Sequence, residues 1–270
     1  MKNIEIKTTQ LDYSGAEAFK TLRTNLKFCG DDKRVIAITS CWENEGKSSV
    51  TLNLAISLAE AGEKVIMVDA DMRKSVLVGS TKVSEEVNGL THYLSRQSSL
   101  SDTVCVTNIE NLHMLFAGPT PPNPTELLGS KYFHAMIEAL KKAYDYVLID
   151  TPPVGMVIDA AIIARECDGV MIVVQSGGES YKFVREVKEQ LDKTQCPVLG
   201  VVLNKVDYSK EGYYGKYGRY GKYGKYGKYS KYSQYTNDNE QGELKNEPFC
   251  DRMLRIHRFP HLCGTAVAGL

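Results

Sequence analysis

A segment with the composition of a phosphate-binding loop lies at residues 40–49, where the sequence is SCWENEGKSS. It follows an apolar run and precedes an amphipathic stretch, so backbone N–H groups of the loop and of a helix amino terminus would converge on an anion. Lys47 is expected to reach the β- and γ-phosphates of a nucleotide, and the Ser48 hydroxyl to bind Mg²⁺. Because Cys41 takes the first glycine position of GxxxxGK[ST], an ordinary strand–loop–helix connection fits this triplet about equally well.

Two carboxylates, Asp69 and Asp71, follow the apolar run 65–68. Alternate residues of a strand point to the same side, so both carboxylates would face one point while Ala70 faces away. Such a pair is costly unless it binds a metal or shares a proton. The alternative interpretation is that the two acids cap the segment that follows them.

A third apolar run, residues 146–149, ends in Asp150 and is followed by Pro152 and Pro153. The prolines prevent the strand from continuing, so Asp150 would be held at the carboxyl edge of a sheet. This is the form of a Walker B acid, which binds Mg²⁺ directly or through water. The order and spacing of all three segments indicate a P-loop nucleotide-binding protein much more strongly than any one of them.

The elements that must position these residues alternate between β-rich apolar runs and helical patterns. Predicted strands cover residues 35–39, 64–68, 112–116, 146–149, 170–174 and 198–203. Predicted helices cover 47–61, 125–142, 158–165 and 181–193, and a capping box at Ser14 and Glu17 starts another helix before the first strand. The expected fold is α/β, a P-loop NTPase-type, mostly parallel sheet with helices on both faces and its site at the carboxyl ends of the strands.

The length and composition predict one large α/β domain with appendages, since the chain has 270 residues and is 43% apolar. No run approaches the ~20 apolar residues of a membrane span, and the first residues lack the apolar region of a signal peptide, so a cytoplasmic location is expected. Seven scattered cysteines without a CxxC pair predict reduced thiols rather than a zinc or redox site.

The carboxy-terminal part has a different composition. From Tyr214 to Tyr235 a tyrosine falls at every third position, mostly as Tyr-Gly-Lys, which predicts a solvated, disordered tail. Between residues 208 and 235 seven basic residues face one acid, so this tail carries +6 and the remainder −6, which argues against a globular nucleic-acid surface. The expected organisation is an N-terminal segment with an oligomerisation helix (1–33), a P-loop domain (34–207), the tyrosine tail (208–235) and an unassigned segment (236–270).

The three motifs together resemble the Walker A, Walker A′ and Walker B set of bacterial tyrosine kinases, as Gly46-Lys47-Ser48, Asp69-x-Asp71-x-Arg73 and Asp150-x-Pro152. These kinases are relatives of the deviant-Walker ATPases and are unrelated to eukaryotic-type kinases. The resemblance spans about residues 4–235 and is closest to the separate cytoplasmic kinase subunits of Gram-positive capsule and exopolysaccharide operons. It implies a protein-tyrosine autokinase that uses ATP and Mg²⁺.

The resemblance also implies roles for individual residues. Lys47, Asp69 and Asp71 would be catalytic, with one of the two acids, Asp69 in preference to Asp71, accepting the tyrosine proton, and Mg²⁺ would be held by Ser48, Asp71 and Asp150. The residues expected to bind nucleotide are Glu45, Gly46, Lys47, Ser48, Ser49 and Asn204. Asn204 begins Asn204-Lys205-x-Asp207, which resembles the guanine-reading NKxD of GTPases, although ATP is expected here. The phosphate acceptors would be Tyr213, Tyr214, Tyr217, Tyr220, Tyr223, Tyr226, Tyr229, Tyr232 and Tyr235.

Partners follow from the same resemblance. Glu17, Lys20 and Arg23 are similar to the E-x2-R-x2-R helix that joins subunits into a ring, but Lys20 replaces an arginine and has no guanidinium fork. The unphosphorylated chain is expected to form this ring, to be activated by a membrane-embedded adaptor that also holds it at the membrane, and to meet a cognate tyrosine phosphatase and protein substrates. No specific nucleic acid is expected.

Two other functions stay open at this point. The chain could be a nucleotide-dependent switch that hydrolyses ATP to control its assembly or positioning, as other deviant-Walker ATPases do. Alternatively, the tail could be an aromatic and cationic segment used only to contact RNA or polysaccharide. Trp42, in the phosphate loop, either reports on the nucleotide or packs as an ordinary loop aromatic.

Overall fold

The computed structural model describes residues 1–7, 11–77, 81–82, 87–178, 180–206 and 265–268. The described residues form one sheet of ten strands: β1 (Lys2–Ile6), β2 (Val35–Ser40), β3 (Val65–Asp69), β4 (Thr81–Lys82), β5 (Val104–Thr107), β6 (Leu112–Leu115), β7 (Tyr146–Asp150), β8 (Gly169–Gln175), β9 (Val198–Val206) and β10 (Thr265–Ala268). Their order across the sheet is β10-β9-β8-β2-β7-β3-β6-β5-β1-β4. All six strands expected from the sequence are present, and they run parallel as the contiguous block β9-β8-β2-β7-β3-β6.

Helices cover both faces of this sheet. They are α1 (Tyr13–Phe28), α2 (Lys47–Glu60), α3 (Leu90–Leu94), α4 (Leu100–Thr103), α5 (Pro124–Leu128), α6 (Lys131–Ala143), α7 (Asp159–Ala164) and α8 (Tyr181–Asp192). On one face α1 and α2 bury side chains such as Phe19 and Leu54, and on the other α5 to α8 bury side chains such as Phe133 and Ile163. Parallel strands that are buried on both faces consist of continuous apolar runs, so these strands could be predicted from the sequence.

Sheet order brings the three motifs to one place. β7 lies between β2 and β3, so all three strands end at the same edge, and the phosphate loop leaves from β2 there. Asp69 and Asp150 are direct partners in the ladder that joins β3 to β7. The carboxyl ends of parallel strands are where α/β proteins bind ligands, so the topology brings the predicted site residues to the edge where a ligand site is expected.

Two predicted helix boundaries were wrong. The first helix is capped by Asp12, whose carboxylate accepts a 2.7 Å hydrogen bond from the Gly15 amide, and not by the predicted capping box at Ser14. Asp is as good a cap as Ser, and the helix starts where that cap sits. The predicted helix 125–142 is two helices, α5 and α6, since Ser130 caps a new helix by accepting from the Phe133 amide.

Sequence patterns missed the short elements, which are β1, β4, β5, β10, α3 and α4. Each has five residues or fewer in the described structure, too few for a periodic pattern to be distinguished from a loop. No helix in the described part of the chain is both long and apolar enough to cross a bilayer. The tyrosine tail and the unassigned segment lie outside the described residues except for β10, so the proposed domain boundaries stay predictions.

Candidate active site

The phosphate loop has the backbone geometry of an anion site. Gly46 caps α2 in the left-handed region, with φ of 89°, and no side chain caps the first turn of the helix. Among the described residues no side chain accepts a hydrogen bond from the amides of this first turn, as an anion-binding helix terminus requires. A Cβ atom on residue 46 would lie 2.2 Å from the Asn204 side-chain nitrogen, so both the conformation and the space require glycine at this position.

Buried polar groups hold this loop from behind. The Glu45 carboxylate accepts hydrogen bonds from the amides of Trp42 (2.8 Å) and Gln175 (3.1 Å). The Asn204 side chain donates to the Glu45 carbonyl at 3.0 Å, and Lys205 donates to the Asn44 carbonyl at 2.5 Å. The bond to Trp42 lies within the loop, and the other three contacts tie the loop to the ends of β8 and β9, so Glu45, Asn204 and Lys205 position the loop backbone.

Lys47 lies between two carboxylates. Its Nζ is 3.0 Å from Asp71 Oδ2 and 3.5 Å from Asp150 Oδ1, and all three side chains are buried. Burial lowers the pKa of Lys47, but attraction to Asp150 and Asp71 more than offsets it, so the pKa is raised and the lysine stays charged. The predicted catalytic lysine and two predicted metal ligands are therefore in contact with one another.

Asp69 is the third acid of the candidate site, after Asp71 and Asp150, and is 1% exposed. Its carboxylate accepts hydrogen bonds from the Ser75 hydroxyl at 2.5 Å and from the Asp71 amide at 3.2 Å. Burial, followed by repulsion from Asp150, raises the pKa of Asp69 to about 7. A carboxyl group with a pKa near the working pH suits a general base, because it is ionised and still accepts a proton.

Asp150 is fully buried, and burial raises its pKa to about 6. Its Oδ1 has no hydrogen-bond partner among the described residues and only the ion pair with Lys47, which leaves an oxygen ligand available. Within the described structure no three acidic, histidine or cysteine side chains form a ready-made metal cluster. Mg²⁺ usually takes only one or two carboxylates and completes its shell with water and phosphate oxygens, so this donor set fits Mg²⁺ bound together with a nucleotide.

Arg73 anchors the chain that follows the paired acids. Its guanidinium contacts both oxygens of the buried Asp159 carboxylate, at 2.7 and 3.0 Å, and the Thr125 hydroxyl at 3.0 Å. Thr125 in turn donates to Asp159 at 2.8 Å. A bidentate fork of this kind fixes orientation as well as distance, so it connects the end of β3 to α5 and α7. Sequence reasoning noted Arg73 but missed Asp159, Thr125 and Ser75, whose partners are distant in sequence or carry no motif.

Lys47, Asp71 and Arg73 line one cavity of roughly 520 Å³ beyond the carboxyl edge of the sheet, whereas Asp69 and Asp150, each 1% exposed, are not among its lining residues. Its polar wall is formed by the phosphate loop with Asp71, Arg73 and Lys74, and its apolar wall by Val76, Leu77, Pro152, Pro153, Met156 and Val157. That volume is within the range of cofactor and substrate pockets, which are about 300–1,000 Å³.

Comparison with known proteins identifies the family. Residues 33–197 match the model of the family described as an AAA domain. The chain is 48% identical over 205 residues to the tyrosine-protein kinase CpsD of Streptococcus agalactiae, and the alignment covers 74% of this chain and 90% of that protein. The chain belongs to the bacterial tyrosine-protein kinase family. The sequence-based family resemblance and the expected enzyme class are thereby confirmed.

Solved structures agree with this assignment. The chimerical protein CapA2B2 matches the kinase chain with a TM-score of 0.69 and 35% identity, covering 74% of this chain and 92% of the other. The septum site-determining protein MinD of Pyrococcus horikoshii, solved with Mg-ADP, is more distant, with a TM-score of 0.54 and 27% identity over 66% of this chain and 72% of the other. The predicted P-loop fold is confirmed, and with it nucleotide binding, which in such folds generally involves a divalent metal.

The predicted oligomerisation residues of the kinase lie on α1. Glu17 and Lys20 form an exposed ion pair of 2.7 Å with each other. Arg23 instead donates to the Ser57 carbonyl in α2 at 2.6 Å, so part of its hydrogen-bonding capacity is used within the chain. Trp42 stacks on Phe183 with ring centroids 5.2 Å apart and is 40% exposed, as an exposed or partly packed loop aromatic would be, and its role as a nucleotide reporter stays a prediction. The predicted acceptor tyrosines lie outside the described residues.

Proposed function

We propose that this kinase transfers the γ-phosphoryl group of ATP to tyrosines of its own carboxy-terminal tail. The observation that carries this proposal is the contact of Lys47 with both Asp71 and Asp150, next to the buried Asp69 and at the start of α2, which has no side-chain cap. Positioning and charge neutralisation are most of what phosphoryl transfer requires from a protein.

In the proposed reaction the phenol oxygen attacks the γ-phosphorus, a new O–P bond forms, and the bond between the γ-phosphorus and the bridging oxygen breaks, releasing ADP. Asp69 takes the phenolic proton. A free tyrosine has a pKa of about 10, so the proton leaves late, as the bond to phosphorus forms. Ser75 holds the Asp69 carboxylate by its 2.5 Å hydrogen bond while this occurs.

Ser48, Asp71 and Asp150 are the proposed holders of Mg²⁺, which when bound neutralises charge on the phosphate oxygens. Gly46, Lys47, Ser48 and Ser49 at the start of α2 are proposed to bind the phosphates, with Glu45 and Asn204 keeping the loop in shape. Lys47 is paired with two carboxylates in this structure, so it has to exchange part of that contact for phosphate oxygens. This exchange should change the free energy little, because the Lys47 ammonium is paired with negatively charged oxygens before and after it.

The biological setting is also a proposal, supported by the family resemblance. We infer that the kinase serves capsular or extracellular polysaccharide synthesis and export, that a membrane-embedded adaptor activates it and keeps a cytoplasmic chain at the membrane, and that a cognate phosphatase reverses the modification. Unphosphorylated subunits would assemble into a ring through Glu17, Lys20 and Arg23. Because each phosphate adds about −1.5 to −2 charges, four of them would cancel the +6 of the tail and release the ring.

The experiment incubates the pure protein with ATP and Mg²⁺, together with the cytoplasmic peptide of the adaptor, and measures phosphotyrosine by mass spectrometry. Lys47→Met should abolish the signal, and Lys142→Met, at an exposed position of α6, is the matched control. Phosphotyrosine formation at the wild-type rate in Lys47→Met would refute the assignment of this loop. ATP hydrolysis without any phosphotyrosine would favour the assembly-controlling ATPase instead.

Transfer between subunits is tested by mixing. A Lys47→Met chain that keeps its tail is combined with an active chain truncated after residue 207. Phosphate on the inactive partner's tail supports transfer in trans, and an unlabelled tail beside a labelled full-length control rejects it.

A further inference from the structure

An exposed ion pair between Glu43 and Lys74 lies in the wall of the active-site cavity. Glu43, from the phosphate loop, and Lys74, three residues beyond Asp71, contact each other at 2.6 Å. Their side chains are 40% and 65% exposed, respectively, and both residues line the cavity. The pair therefore joins two loops at an exposed part of the cavity wall, where a segment that approaches the phosphate site from solvent can contact it.

The other acids of this region are already engaged by buried or rigid partners. Asp71 is held by Lys47 and by the Lys74 amide, Asp159 by Arg73, and Glu45 by two backbone amides behind the loop. Glu43 differs, because its partner is a lysine ammonium that is largely in water. A second ammonium can replace it without leaving a buried charge unpaired.

The tail supplies such ammonium groups at fixed distances from its tyrosines. Five tyrosines have a basic residue both immediately before and two residues after them: Tyr217, Tyr220, Tyr223, Tyr226 and Tyr229. Tyr235, by contrast, lies between Gln234 and Thr236, with Asn237 two residues after it. Each of these five tyrosines therefore carries a positive charge both before and after it in the sequence.

We propose that Glu43 selects acceptor tyrosines flanked by lysine or arginine, and that Lys74 occupies the position of the acceptor's ammonium until an acceptor binds. This inference rests on the proposed tail phosphorylation and specifies its substrate class. The number of ion pairs stays the same in this exchange, because the incoming lysine pairs with the Glu43 carboxylate while the Lys74 ammonium is released into water. An exposed ion pair changes an equilibrium by a factor of about five at most, so the expected selectivity is severalfold rather than absolute.

The test uses the full-length protein with ATP and Mg²⁺ and measures, by mass spectrometry at early times, the ratio of initial phosphorylation rates of Tyr223 and Tyr235. Using a ratio within one chain removes any change that affects both tyrosines equally. Glu43→Gln is expected to lower the ratio about threefold, and Lys74→Met, which removes the internal competitor, to raise it. An unchanged ratio in Glu43→Gln, or a decrease in both variants, overturns the proposal.

Variants of the tail keep the test decisive if Glu43→Gln does not fold. Replacing Lys222 and Lys225 by Gln leaves the kinase domain untouched and should slow Tyr223 about threefold in the wild-type background. Gln234→Lys should accelerate Tyr235 by a similar factor. If neither tail change alters the ratio although phosphotyrosine still forms, this proposal is wrong while the kinase assignment stands. A complete lack of phosphotyrosine in the wild-type chain would refute the proposed function itself.

Discussion

Asp69→Asn should separate stability from activity in this kinase. The Asp69 carboxyl group is buried, and its pKa rises from 3.8 to about 7 on folding. Between these two values the folded protein binds more protons than the unfolded chain, so its stability falls as the pH rises through that window. One pKa unit corresponds to about 1.4 kcal/mol, so the full penalty above pH 7 is on the order of 4 kcal/mol.

Asparagine removes this penalty and keeps the shape of the side chain. Its amide oxygen can replace Oδ1 as acceptor for the Asp71 amide, and its amide nitrogen, in place of Oδ2, donates to the Ser75 hydroxyl oxygen, so that hydrogen bond is kept with its direction reversed. Urea unfolding without nucleotide or Mg²⁺ should therefore show the variant to be more stable than the wild type at pH 8, by a few kcal/mol, with the difference nearly gone at pH 4. Phosphotyrosine formation should be lost at both pH values, because an amide does not accept the phenolic proton.

The matched control is Asp31→Asn, at an exposed turn position. It should leave the pH dependence of stability unchanged. If Asp69→Asn is no more stable than the wild type at pH 8, then burial of the Asp69 carboxylate does not destabilise the folded protein. If the variant keeps the wild-type kinase rate, Asp69 is not the base.

Three further substitutions probe the rest of the site. Lys47→Met should cost about 3 kcal/mol in urea unfolding at pH 8, in addition to all kinase activity, because it leaves two buried carboxylates unpaired; equal stability would show that the ion pairs contribute nothing. Gly46→Ala should abolish the binding of a fluorescent ATP analogue, since its Cβ would collide with Asn204; binding within twofold of the wild type would contradict this geometry. Arg73→Lys should reduce kcat at least tenfold with a stability loss of only about 1–2 kcal/mol, because lysine cannot hold Asp159 bidentately; an unchanged kcat would show that Arg73 does not position the paired acids.

The sequence allowed the sheet and the main site residues to be predicted because both depend on short, local patterns. Buried parallel strands are continuous apolar runs, and the acids that end them, Asp69 and Asp150, are the first polar residues after each run. Asp69 and Asp150 lie side by side because β3 and β7 are neighbours in the sheet. The family resemblance implies this strand order, whereas hydrophobic periodicity does not predict it. The short strands β1 and β5 lack enough residues for any pattern and were therefore missed.

The contacts that hold the site could not be predicted in the same way. Asp159 is 86 residues from Arg73, and Asn204 is 159 residues from the Glu45 carbonyl that it binds. Neither partner carries a motif of its own for this role, so only the folded chain shows that Arg73 and Asn204 are anchors. For Asn204 the consequence is direct, because its resemblance to a base-reading residue concealed a contact with the phosphate loop.

The incomplete loop motif has a structural explanation at Cys41. This residue occupies the position where GxxxxGK[ST] has its first glycine, and its side chain is fully buried in the apolar core. Its carbonyl oxygen lies 2.3 Å from the place where a Cβ on Gly155 would be. The close approach of the two chain segments beyond β2 and β7 is thus made possible by a glycine in the facing segment. A cysteine at position 41 is compatible with the loop because its φ is not positive and its side chain is buried in the apolar core, whereas the close contact with its backbone carbonyl requires glycine at position 155.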